Sequence, residues 1–114
     1  MVNLRASFEE EASLRGDILR YAVVGWHEND EKRFEAYRRE WPVQAWTVAS
    51  KTLDYEYDSG FGGADCHAVV AWGDLCVYFV HEYDGATSIA SVPRSPTACA
   101  PSWGSTEIAD APAT

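Results

Sequence analysis

A chain of 114 residues that is 46% hydrophobic and 24% charged has an ordinary globular composition, with length for one modest core and none for two independent ones. Its net charge of −9 argues against direct binding to a phosphate backbone, where lysine and arginine supply the affinity, and favours a basic protein surface as partner. Met1 is followed by no apolar secretory segment and no run is long enough to span a membrane, so a cytoplasmic protein with no membrane association is expected.

Leu4, Phe8 and Ala12 fall at helical spacing, with Ser7 as an N-cap ahead of Glu9, Glu10 and Glu11, which predicts a first helix ending at Gly16. Over residues 17–27, Leu19, Val23 and Trp26 also repeat at helical spacing. A helix is favoured there, although the β-branched content and Gly25 would suit a buried strand. His27 sits with Glu28, Asp30 and Glu31 in what reads as a solvated turn. Phe34, Tyr37 and Trp41 then form one stripe that Asp30 caps and Pro42 ends, predicting an amphipathic helix over 30–41. Its outer face mixes Lys32, Arg33, Arg38 and Arg39 with Glu31, Glu35 and Glu40, the pattern of a salt-bridged surface.

From Val43 to Tyr57 the β-formers return, and one long or broken strand is expected. Residues 58–64 are a glycine-containing loop. A phosphate-binding loop is disfavoured, because that anion needs the N-terminus of a helix and here a strand follows.

The strongest local signal lies between Asp65 and Pro93. Two β-rich runs joined by Gly73-Asp74, and a third joined by Asp84-Gly85, predict a three-stranded antiparallel meander. Two-residue turns would set Trp72 opposite Leu75, Val70 opposite Val77, Ala68 opposite Phe79 and Cys66 opposite His81. Across the second turn they would set Tyr83 opposite Ala86, His81 opposite Ser88, Phe79 opposite Ala90 and Val77 opposite Val92. The face carrying Val70, Trp72, Leu75, Val77 and Phe79 is the more apolar one and is expected to be covered by the helices. After Val92, four of the five prolines lie within 22 residues, which predicts a disordered or loosely packed tail over 94–114 attached to a single domain over 1–93. Trp103 and Ile108 are the tail's sizeable apolar groups. The expected fold is α+β: N-terminal helices packed on one face of a small antiparallel sheet of about four strands.

This topology brings the 58–65 loop and the Asp84-Gly85 turn to one end of the sheet, so that Asp58, Asp65, Glu82 and Asp84 converge there with Tyr57 and Tyr83. With the 43–57 strand alongside, Asp54 and Glu56 join them. Such an end reads as a docking surface for an arginine- or lysine-rich partner, the tyrosines giving apolar area at low entropic cost. Cys66, His81 and Ser88 form a candidate pocket row across the three strands, with a thiol facing an imidazole. No local motif supplies an oxyanion hole or a set of metal ligands, so no catalytic residue, metal or cofactor is assigned. His67 and Glu82 fall diagonally on the other face, close enough for an ion pair.

The cysteine count is three, and Cys66 and Cys76 point to opposite faces, so free thiols are expected. By class, size and sign the chain compares with small acidic inhibitors: anti-CRISPR, anti-restriction and toxin-immunity proteins, whose partners include nucleic-acid-handling complexes. The alternative is a small enzyme or ligand-binding domain with its pocket near Cys66, His81 and Tyr83.

Overall fold

The structure, a computed structural model, describes residues 1–27, 41–60, 62–63 and 65–95. All of the helix expected over 30–41 except its last residue, Trp41, and the tail from residue 96 onward with Cys99, Trp103 and Ile108, lie outside the described residues.

Strand β1 (Val2–Asn3) leads directly into helix α1 (Leu4–Leu14), because Asn3 keeps extended backbone while its side chain accepts from the Ala6 N–H at 2.9 Å. Asn3 is therefore the cap. Ser7 lies one turn inside, its hydroxyl donating to the Asn3 carbonyl. Leu4, Phe8 and Ala12 are buried, as their spacing predicts, and the helix closes through Arg15 and a left-handed Gly16.

Residues Leu19–His27 form strand β2, which corrects the helix favoured over 17–27. Their β-branched content prevails because this strand lies inside a sheet: it pairs antiparallel with β3 (Gln44–Ala45) on one side and with β5 (His67–Gly73) on the other. The single strand expected over 43–57 is also corrected. Its middle is helix α2 (Trp46–Thr52), whose stripe of Trp46, Ala49, Ser50 and Leu53 turns inward at helical spacing. Only its ends are extended, as β3 and as β4 (Glu56–Tyr57), which pairs with β1.

The C-terminal meander is present as β5, β6 (Cys76–Tyr83) and β7 (Ala86–Pro93), completing a five-stranded antiparallel sheet of order β3-β2-β5-β6-β7. The α+β class therefore holds. The second hairpin has the expected register throughout, from Tyr83↔Ala86 to Val77↔Val92. In the first hairpin Val70 faces Phe79 and Trp72 faces Val77, two residues away from the expected pairing, because Asp74-Leu75 rather than Gly73-Asp74 makes the link.

Asp17 explains that displacement. Its buried carboxylate accepts from the N–H groups of Ile18, Leu75 and Cys76 at 2.8–3.0 Å and from the Tyr78 hydroxyl at 2.8 Å. Gly73 ends its strand because a Cβ there would fall on the Asp17 carboxylate.

The two-residue displacement preserves which side chains share a face, but the buried face is the opposite of the one expected. Helix α1 lies over β6 and β7 and α2 over β2, on the side of Val69, Ala71, Cys76, Tyr78 and Ile89. Val70, Trp72, Val77 and Phe79 are half-buried on the outer side, where Tyr21 and Val92 are exposed. Cys66 and Cys76 are buried, and no disulfide joins them. No helix among the described residues is long and apolar enough to cross a membrane.

Candidate functional site

The two ends of the sheet carry different chemistry. At the end where β5 meets β6, Arg20 makes a bidentate pair with Asp74 at 2.9–3.0 Å, and Arg94 donates to the Gly73 carbonyl at 2.9 Å. The hydrogen bond from Arg20 holds the Asp74 carboxyl below its usual range. The opposite end is formed by the Asp84-Gly85 turn, the start of β5 and the chain after Tyr57.

Asp84 and Gly85 both take positive φ, 50° and 82°, which gives the tight hairpin its twist. Ser59 and Gly63 are tied to this turn by two backbone bonds, Thr87 N–H to the Ser59 carbonyl at 2.9 Å and Gly63 N–H to the Gly85 carbonyl at 3.1 Å. Asp58 caps its own turn through the Gly60 N–H. The convergence of the loop and the turn therefore exists at the level of the backbone. Asp58, Asp65, Glu82 and Asp84 are all exposed, and Tyr83 projects with 77% of its surface accessible.

Tyr57 is placed differently. It is 2% exposed and packs in the core, where burial raises its phenol pKa, partly offset by a hydrogen bond with the Ser7 side chain. Asp54 is elsewhere too, bonded to Asn3 and near Arg5 at the start of α1. Glu56 is exposed on β4.

Tyr55 takes the place expected of Tyr57. Its hydroxyl lies 2.7 Å from His67 Nδ1 and accepts from the His67 backbone N–H at 2.9 Å. Burial, the largest influence, pushes its phenol up to about 12. His27 meets His67 edge-on at 5.1 Å, because the β2–β5 register pairs the two residues. In sequence His27 reads as a turn residue; only with 17–27 taken as a strand does its last residue fall beside the start of β5.

The row of Cys66, His81 and Ser88 is divided. His81 and Ser88 pair across β6 and β7 as expected and are half-buried on the outer side. Cys66 precedes β5 and is 2% exposed within the core cluster. Continuing the register past Val70↔Phe79 would set Ala68, not Cys66, against His81.

The β5–β6 ladder covers only three residue pairs, ending at Val70↔Phe79. Below that point each strand is held by its outer neighbour, β5 by β2 and β6 by β7. A cleft of about 520 Å³ lies along this line, walled by Val23, Gly25, Val70 and Phe79, with Trp26 and Trp41 in tilted contact at 6.5 Å and with Cys66, His67 and Glu82 at its polar side. Gly25 permits the close approach of β2 to β5, since a Cβ there would sit 3.2 Å from the Ala68 carbonyl oxygen.

The arrangement offers carboxylate acceptors, exposed aromatic area and an apolar cleft. Among the described residues, no group of three or more His, Cys, Asp or Glu side chains is placed to hold a metal ion. No protein-family model matches the chain, and neither a curated protein nor a solved structure shows significant similarity to it.

Proposed function

We propose that this is a non-enzymatic binding protein that engages a basic surface of another protein through the acidic end of its sheet, in the manner of inhibitors of the anti-CRISPR, anti-restriction or toxin-immunity class. The observation that carries the reading is Tyr83: a large aromatic side chain held 77% exposed at a turn that two backbone bonds tie to Ser59 and Gly63. An exposed aromatic group at the end of the sheet that also carries the exposed Asp58, Asp65, Glu82 and Asp84 suits a lysine- or arginine-rich surface, with the charges steering encounter and the ring supplying desolvated contact. Arg20 and Arg94, committed at the other end, leave that field unopposed by their charge. A component of a nucleic-acid-handling complex is one such basic partner.

Affinity capture from the native host followed by mass spectrometry would supply the partner, and surface-plasmon measurements at two salt concentrations would test the surface. Asp65→Lys with Asp84→Lys should slow association and flatten its salt dependence, whereas Tyr83→Ala should speed dissociation. Unchanged kinetics in all of these variants would reject the docking surface.

The cleft beside Trp26 and Trp41 favours a second reading, a small-ligand site, since its volume and largely apolar walls fall within the usual range for such sites. It replaces the pocket expected near Cys66, His81 and Tyr83 with one in which Cys66 is joined by His67 and Glu82. Quenching of tryptophan fluorescence by a bound ligand, lost in Trp26→Phe, would support it.

A further inference from the structure

We propose that the cleft beside Trp26 and Trp41 takes a small amphipathic cation, an aromatic ring on a short chain that ends in an ammonium group. The assignment rests on the small-ligand reading of that cleft and adds to it the chemical class of the ligand.

The two ends of the cleft differ. Where the β5–β6 ladder stops, Val23, Val70 and Phe79 stand side by side across β2, β5 and β6, and this end is apolar. Three residues further along β6, about 10 Å at the rise of a strand, comes Glu82. Trp26 follows Val23 by three residues on β2 and is in contact with Trp41, so the two indoles stand along the same stretch. These walls are within reach of a ligand: Val23, Trp26, Trp41, Val70 and Phe79 are half-buried, and Glu82 is exposed.

Charge decides the class. Glu82 is the one carboxylate that lines the cleft, no lysine or arginine lines it, and the exposed Asp65 and Asp84 belong to the same end of the sheet. An anion would be repelled by these groups and a neutral ligand would leave them unused. An ammonium gains from the carboxylates and from the electron-rich indoles nearby. The body of the ligand follows from Trp26, Trp41 and Phe79, because aromatic rings pair with one another beyond the area they bury, which favours a ring over an alkyl chain.

The test is a ¹H–¹⁵N NMR titration of the full chain at constant ionic strength with 2-phenylethylammonium, its neutral counterpart 2-phenylethanol, the anion 3-phenylpropionate and the ring-less n-butylammonium. Saturable shifts at Gly25, Val70 and Phe79 are expected with 2-phenylethylammonium, at an affinity ~3–5-fold above that of the alcohol, the increment of an exposed ion pair. The anion and butylammonium should bind more weakly than the alcohol. Glu82→Gln should bring the amine to within ~2-fold of the alcohol and leave the alcohol's own affinity unchanged. Equal affinity for amine and alcohol, or a preference that survives Glu82→Gln, would overturn the cation while the alcohol's binding kept the small-ligand reading standing. Butylammonium binding as tightly as 2-phenylethylammonium would overturn the ring. The absence of saturable shifts at the cleft with all four compounds would overturn both the class and the reading beneath it.

Discussion

The two hairpin turns of the meander are held by different physics. Asp84-Gly85 carries its conformation in its own residues, with backbone bonds to Ser59 and Gly63 added to it: both residues take positive φ, the twist matches the strands, and the pairing runs from Tyr83↔Ala86 to the far end of β7. Asp74-Leu75 is held from outside, by the carboxylate of Asp17, by Asp74 N–H to the Ile18 carbonyl, and by Arg94 N–H to the Leu75 carbonyl. The first turn leaves its side chains free for the surface, whereas the second commits its neighbours to the fold. A docking end and a locking end follow from that division.

The sharpest way to break the comparison is Asp17→Ala. It strands the buried donors of Cys76 and Tyr78 and frees the part-buried N–H of Leu75, and at ~1–3 kcal/mol for each unsatisfied buried group a loss of about 3–5 kcal/mol is expected in urea denaturation. Gly73→Ala should act in the same direction, because its Cβ would displace the same carboxylate. A loss below about 1 kcal/mol in Asp17→Ala would mean that the turn closes without its bolt.

Next in size is Tyr78→Phe. The hydroxyl is buried and donates to Asp17, and burial followed by that bond pushes its phenol well above the ordinary range. Removing one of the four bonds that Asp17 accepts should cost about 1–2 kcal/mol. If Tyr78→Phe proves as damaging as Asp17→Ala, the phenol rather than the three backbone donors is the principal partner of the carboxylate.

This difference in what holds each turn also decides what could be read in the sequence. Asp84-Gly85 carries its conformation in its own residues, so its hairpin and register were legible. Gly73 looked like a turn residue, yet its missing Cβ makes room for Asp17, far earlier in the chain, and no local pattern records that. The buried face was misassigned because both faces are apolar: Val70, Trp72, Val77 and Phe79 outweigh Val69, Ala71, Tyr78 and Ile89 in bulk, but α1 and α2 settle on the second set. The Asp17 carboxylate makes that choice tolerable for a tyrosine hydroxyl. Around the candidate site, the charged residues were legible because an exposed carboxylate needs only a turn beneath it. The Tyr55, His67 and His27 cluster was not, because it depends on β2 being a strand and on Tyr57, not Tyr55, filling the core.

A smaller effect is expected at high pH from the docking end's own tyrosine. The Tyr55 phenol rises from 10.0 to about 12 in the fold, so the folded state keeps its proton after the unfolded chain has lost it. The stabilisation is complete below pH 10 and is lost as pH climbs through about 12. Denaturation midpoints should therefore fall across that window, and Tyr55→Phe should reduce the slope without abolishing it, since Tyr57 and Tyr78 are raised as well. An unaltered slope in Tyr55→Phe would show that its phenol is not buried in solution.

The smallest effect on stability belongs to the acidic rim, and its smallness is what the comparison requires. Asp65 and Asp84 are exposed, and the turn beneath them is fixed by backbone conformation and by the Ser59 and Gly85 carbonyls. Reversing both to lysine should shift unfolding by about 1 kcal/mol or less, the usual range for exposed charged side chains, while changing the field around Tyr83 by about four charges. Asp74→Lys provides the contrast, since it breaks the bidentate pair with Arg20 and sets two cations together at the locking end. Its midpoint in urea should fall below that of the double variant. Should the double variant instead prove the less stable, the rim carboxylates take part in holding the hairpin, and the acidic end is a structural element rather than a docking surface.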